Sequence, residues 1–158
     1  MSGRVEAIFV ADRAGAAMRA VGRCELVAGA GVAGDRYSAE AGTFSDWPED
    51  HELTLIEAEA IEHACAEHGL EGLQGGFRRN IVTRGIALNE WVGREFFVGA
   101  AKCRGTRLCE PCAYLERLTG LGGLVKTLID RGGLRAVVLE GAAVARGDRV
   151  AASEDIIR

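Results

Sequence analysis

The residues best suited to chemistry lie in TRLCEPCAYLERL, residues 106–118, where Cys109 and Cys112 bracket Glu110 and Pro111. Cys-x-x-Cys between a strand and a helix has the local look of a dithiol redox site, in which the helix N-terminus lowers a thiolate pKa. That architecture also needs a proline loop downstream, and no proline follows Pro111. A structural zinc site wants four ligands, usually as two close pairs. His63 and His68 are five apart and diverge on a helix, and Cys103 offers a third ligand at best. Another reading is one working thiolate in the first turn of a helix beside Arg107. The plain alternative is two small buried apolar side chains, the commonest fate of a free cysteine. Cys24 and Cys65 follow strand and helix patterns and are read as core.

The elements that must position these residues are short. RVEAIFVA (4–11), RCELVA (23–28), HELTLI (51–56), NIVTRG (80–85), REFFVG (94–99), AKCRGTRL (101–108), LRAVVLE (134–140) and DRVAA (148–152) read as strands. EAEAIEHACAEHG (57–69) reads as a helix with Ala58, Ile61, Cys65 and His68 near one stripe, stopped at Gly69. EPCAYLERLTG (110–120) and GLVKTLIDRGG (123–133) support two further short helices. This order is β-rich without regular βαβ alternation, and 22 glycines supply tight corners. It predicts a mixed, β-rich α+β fold built on a strongly bent sheet or partly closed barrel. No repeat or linker divides the 158 residues, so a single domain over 1–158 is expected.

Composition narrows the function classes. A net charge of −4 argues against a broad nucleic-acid footprint, and no apolar run is long enough to span a membrane. The N-terminal MSGRVEAIFVADRAG lacks a signal-peptide pattern, and five cysteines are an odd number. Reduced thiols in a cytoplasmic protein are therefore expected. Lys102 and Lys126 are the only lysines. Arginine forks suit phosphate or carboxylate, although a GC-rich genome would give the same bias.

Five segments taken together resemble the MOSC domain family, domains similar to the C-terminal part of molybdenum cofactor sulfurases. They are GVAGDRYSAEAGTF, ELTLIEAEAIE, FRRNIVTRGIALNEWVGREFFVG, GTRLCEPCAYLERL and GGLRAVVLEGAAVARGDRV, in that order from about Gly31 to Val150. The resemblance implies a MOSC barrel similar to the β-barrel domain of pyruvate kinase, with a few short helices. It also implies a cysteine that binds the molybdenum of a molybdopterin-type cofactor or carries sulfur as a persulfide. That cysteine matches Cys112, with Cys109 an auxiliary thiol. The family's Arg-x-Asn falls on Arg78 and Asn80, with Arg79 where proline is usual, and its Gly-Asp-Arg turn falls on Gly34, Asp35 and Arg36.

The residue types agree with the chemistry so implied. A pyranopterin ends in phosphate and carries a soft metal, so it needs guanidinium forks and a thiolate. Arg36, Arg78 and Arg107 are candidates for the first role, Asn80 for a pterin amide edge or a turn cap, and Cys112 for the metal. For several neighbours the plainer reading competes: Asp35 and Arg36 as an exposed ion pair, Arg78 and Arg79 as a solvated face, Arg84 as a strand-end charge. Two activities are implied, reduction of N-hydroxylated small molecules or sulfur transfer. Expected partners are a small-molecule substrate or sulfur acceptor and a separate electron donor, with no nucleic acid and no membrane. A non-catalytic carrier module for a larger molybdoenzyme is the rival. Leu124, Val125, Leu128 and Ile129 would serve a partner or homodimer if exposed, and core otherwise; the protein is expected as a monomer or homodimer.

Overall fold

The computed structural model describes residues 2–12, 16–35, 52–68, 78–109 and 132–153. The elements in chain order are β1 (Ser2–Val10), β2 (Arg19–Val21), β3 (Arg23–Val27), β4 (Gly31–Val32), β5 (Leu53–Glu57), α1 (Ala58–His68), β6 (Ile81–Arg84), a 3-10 turn (Leu88–Trp91), β7 (Glu95–Val98), β8 (Ala101–Leu108), β9 (Leu134–Glu140), β10 (Ala142–Ala145) and β11 (Arg149–Ala152). The predicted helices at 110–120 and 123–131, the apolar set at 124–129 and residues Arg36, Glu110 and Cys112 lie outside the described residues.

Seven strands run in the order β11-β7-β8-β9-β5-β6-β1, and β1 returns to β11, so the sheet is a closed barrel. Closure rests on Ser2↔Ala151, Gly3↔Val150 and Arg4↔Arg149. Sequence reading starts the first strand at residue 4 and expects a partly closed barrel. The strand begins at Ser2, and those first residues make the seam. The other end of β1 pairs with β2 through Ile8↔Val21, while an irregularity between Val5 and Ala7 bends it along β6. Such a bulge increases local twist and helps a sheet curl onto itself.

Alternation along the strands fills the interior. Ile8, Leu53, Leu55, Ile81, Phe96, Val98, Cys103, Leu134 and Ala136 all have no measurable exposure and belong to one apolar cluster. The 3-10 turn sends Trp91 into the same cluster, where its ring stacks on Phe96 at 4.8 Å between centroids. A smaller sheet, β10-β3-β4, adds Leu26, Val32 and Val144 to this core. Its strands are two to five residues long, with β4 only Gly31–Val32 and β10 mostly alanine, so these carry little propensity of their own. Pairing with neighbours decides them, which is why β2, β4 and β10 are not readable locally.

Outside the barrel, α1 joins β5 to β6, which pair in parallel through Leu55↔Ile81 and Glu57↔Thr83. A parallel pair needs such a crossover. Ala58, Ala60, Ile61, Ala64 and Cys65 of the helix pack on Ala7, Phe9, Ile56 and Val82, a second core on the outer face. This explains why β5 is buried on both faces from Leu53 to Ile56. Of the expected stripe, Ala58, Ile61 and Cys65 lie on the packed face, and the His68 side chain lies outside the described residues. Among the described residues no helix is long and apolar enough to cross a membrane.

The acidic run around the helix start secures the chain that follows β6. Glu57 accepts from the Leu88 amide at 3.1 Å and Glu59 from the Gly85 amide at 2.9 Å. Arg84 donates from Nε and Nη2 to both oxygens of Glu6 and from Nη1 and Nη2 to both oxygens of Glu62. The strand-end charge expected at Arg84 is thus a bridge from barrel to helix. The hydrogen bond from Arg84 holds the Glu62 carboxyl below its ordinary value of 4.5. A depressed carboxylate contributes stability above its unfolded value and loses it as pH falls. Thermal melts should show that contribution disappearing below about pH 4.5. In Arg84→Met, Glu62 should titrate at its ordinary value by NMR; ordinary titration already in the wild type would mean that the bridge is not formed in solution.

Gly105 is fixed by close approach. A Cβ there would stand 2.2 Å from the Trp91 carbonyl oxygen. Its own carbonyl accepts from the Gly93 amide at 2.9 Å and its amide donates to the Arg94 carbonyl at 3.0 Å. Gly105→Ala must push the Trp91 turn outward, so it should cost about 1–3 kcal/mol, read as a lower urea midpoint. An unchanged midpoint would show that the turn can shift freely.

Candidate functional site

The chemistry anticipated around Cys109 and Cys112 is positioned by the place where residues 110–131 join the barrel. Strand β8 runs to Leu108, paired with Leu134 at the start of β9. One residue further, the Cys109 amide donates to the Gly133 carbonyl at 2.7 Å. Gly133 has φ +107°, and a Cβ would meet the Leu55 carbonyl oxygen at 2.0 Å, so only glycine fits. Cys109 is 1% exposed. It is part of the framework.

Arg79 completes this neck. Its side chain is buried, with Nε donating to the Gly132 carbonyl at 2.8 Å and Nη2 to the Cys109 carbonyl at 3.2 Å. Sequence reading offers a solvated face for Arg78 and Arg79 and gives Arg79 the lesser role. For Arg79 that reading is corrected: its partners are backbone oxygens 53 and 30 residues away in sequence. No periodicity in FRRNIV marks such partners. Arg78 is half-buried and has φ 61°, a left-handed backbone uncommon for a residue with a side chain. Its Nη1 donates to the Ala16 carbonyl at 2.7 Å.

Asn80 is 1% exposed and ties three strands together. Its Oδ1 accepts from the Thr54 amide at 3.3 Å and the Thr54 hydroxyl at 3.2 Å, and its Nδ2 donates to the Phe9 carbonyl at 3.1 Å. Backbone bonds add to the knot: the Phe9 amide donates to the Asn80 carbonyl at 2.7 Å and the Asn80 amide to the Thr54 carbonyl at 3.1 Å. Both lone pairs of the side-chain oxygen are therefore in use inside the protein. Asp35 is also buried, not the exposed ion-pair partner anticipated; its Oδ1 accepts from the Ala11 amide at 3.0 Å. Arg107 is exposed, and its register partner across β8 and β9 is Arg135.

Of the remaining described thiols, Cys65 and Cys103 are buried and Cys24 is half-buried. Burial, with a smaller contribution from Glu52, pushes the Cys103 thiol up to about 12. Burial and then Glu25 push Cys24 up to about 11. Without a metal, burial keeps both in the neutral thiol form near neutral pH. Among the described residues no group of three or more His, Cys, Asp or Glu side chains could hold a metal ion. The neck itself is cationic: Arg78 and Arg79 are adjacent, and Arg107 and Arg135 lie two residues from Cys109 and Gly133. Planar guanidinium forks at such a neck would suit a phosphate group. A shallow open groove of about 590 Å³ lies elsewhere, against Glu6, Phe9, Val21 and Arg146, and shares no residue with the neck.

Comparison with known proteins adds to this geometry. The family model described as the MOSC domain matches residues 36–151. The YuaD protein from Bacillus subtilis has the same fold, with a TM-score of 0.79 at 16% identity over 95% of this chain and 94% of that one. YiiM from Geobacillus stearothermophilus gives 0.73 at 16% identity over 95% and 74%. YiiM from Escherichia coli gives 0.65 at 17% identity over 94% and 69%. No curated protein sequence matches the chain.

Removing the Asn80 side chain leaves buried groups of Thr54 and Phe9 without their partner. Asn80→Ala should cost roughly 2–4 kcal/mol in stability, measured by urea unfolding. A loss below about 0.5 kcal/mol would show that water replaces the amide and that the knot is not structural.

Proposed function

The chain belongs to the MOSC domain family, and from that premise we propose that it binds a molybdenum cofactor of the molybdopterin type, with Cys112 as the thiolate that meets the metal. The observation that supports this most is the fate of Cys109: its thiol is buried and its amide and carbonyl both anchor the neck. Of the Cys-x-x-Cys pair, the ligand role then falls to Cys112. Arg78 and Arg107, with Arg36, would face the anionic end of the cofactor, where planar forks recognise phosphate. Asn80 serves this site by holding the 78–80 turn against β1 and β5, since its amide oxygen is already used. Bound there, the cofactor would supply a two-electron metal centre for reduction of an N-hydroxylated small molecule. The electrons would come from a separate donor protein.

Molybdenum and phosphorus measured by mass spectrometry test this directly. The protein would be purified from a molybdate-fed host able to make the cofactor, with Cys112→Ala in parallel. Near-stoichiometric molybdenum and phosphorus in the wild type, with molybdenum lost in the variant, is the expected result. Absence of both elements from both samples would overturn the cofactor reading. Labile sulfur on Cys112 would then identify a sulfur carrier that holds a persulfide at the same residue.

A further inference from the structure

The closing seam of the barrel carries a charge pattern that works against its own pairing. Arg4 is the register partner of Arg149 on one side and of Arg84 on the other. Residues directly opposite in a sheet share a face, and like charges so placed are destabilising. Of the three, Arg84 alone has its charge well matched, by both oxygens of Glu6 and both of Glu62. Arg4 is exposed and approaches Glu6 only to 3.9 Å. Arg149 is exposed and makes no ion pair among the described residues. A fourth arginine joins them from the turn between β10 and β11. There the Gly147 amide donates to the Val5 carbonyl at 2.8 Å and the Val5 amide to the Asp148 carbonyl at 2.9 Å, which holds the turn against β1. Arg146 Nε donates to the Glu6 carbonyl at 3.1 Å, while the Asp148 carboxylate accepts from the Ala145 amide at 2.9 Å. Between these groups lies an open hollow of about 350 Å³ lined by Arg4, Val5, Glu6, Arg146 and Gly147. It shares Glu6 and Arg146 with the larger groove of about 590 Å³ and no residue with the neck.

We propose that this hollow binds the phosphate group of a small molecule, held by Arg4, Arg146 and Arg149. A guanidinium presents paired N–H donors that match the oxygens of a phosphate, and several forks around one dianion relieve the repulsion among them. A carboxylate fits the set less well, because it brings one charge to three cations. Glu6 also lines the hollow, but Arg84 holds both of its oxygens, so its charge is largely offset. The cluster stands out in a chain whose net charge is −4. The inference rests neither on Cys112 nor on the molybdenum cofactor.

The test follows the backbone amides of the full chain by NMR at low salt while inorganic phosphate or phenyl phosphate is added. With either probe, shifts should concentrate on Val5, Gly147 and Arg149. Arg4→Gln and Arg149→Gln should each weaken binding at least about fivefold. Arg104→Gln, at an exposed position of β8, should leave it unchanged. Neither seam variant should lower the urea midpoint, because each removes a like-charge opposition. The two probes and Gly22→Leu tell the sources of phosphate apart. A Cβ at Gly22, which lines the larger groove, meets nothing within 4 Å, so leucine there narrows the groove without a clash. Tighter binding of phenyl phosphate, lost in Gly22→Leu, identifies a phosphate ester whose body lies in the larger groove. Equal binding of the two probes identifies free phosphate. Either result sustains the site.

Absence of localised shifts with either probe up to about 10 mM overturns the proposal. Equal weakening in Arg104→Gln overturns it as well, because phosphate would then follow the summed field of all the arginines. Unchanged affinity in both seam variants does the same, and a lower urea midpoint alongside it would assign the arginine row to the fold.

Discussion

The structure depends on one seam: three residues at the start of β1 pairing with three in β11. A sheet that curls without meeting itself leaves two edges of unpaired amides and carbonyls. Closing it removes both at once. Closure imposes demands elsewhere. β1 must bend at Glu6 to serve β11, β6 and β2 along its length, and β8 must admit the Trp91 turn at a position with no side chain. The interior is then filled by a cluster of buried apolar side chains, as is usual in a small barrel. Chemistry therefore belongs at the rim.

At the rim the polar groups divide into two kinds. Asn80, Asp35 and Arg79 are buried, and their partners include backbone groups of neighbouring elements and the Thr54 hydroxyl. They replace the ladder hydrogen bonds that end where strands end, so each satisfies groups that would otherwise be costly to bury. Arg107 and Arg135 point away from the interior on paired strands and keep their charge at the surface. A site assembled from such parts has a rigid base made by the first kind and a cationic margin made by the second. The anchoring of Cys109 belongs to the base.

Much of this was legible in the chain. Eight strand segments were visible because their alternation is set by a barrel with one apolar side, and the stripe on α1 because a helix packs through one face. The family resemblance pointed to the barrel itself. What escaped was decided by distance. β2, β4 and β10 are too short to have a preference and exist because a neighbour presents an edge. A solvated face was the plainer reading for both Arg78 and Arg79, yet a left-handed residue at Arg78 and carbonyls far along the chain give them different fates. Asn80 was read as a contact for a pterin amide edge or as a turn cap, and its bonds to Thr54 and Phe9, 26 and 71 residues away, are visible only in the fold.

The same seam fixes an order of events in folding. The first strand cannot be completed until residues near 150 are available, because Gly3 and Val150 are register partners. Contacts of such separation carry a large loop-closure entropy before they return any packing. The β5-α1-β6 unit and the β7-β8 hairpin need no such reach and can form early. During synthesis the Ser2–Arg4 end of β1 therefore waits unpaired until β11 emerges. Folding should accordingly be slow for the chain's size, with barrel closure as its last step.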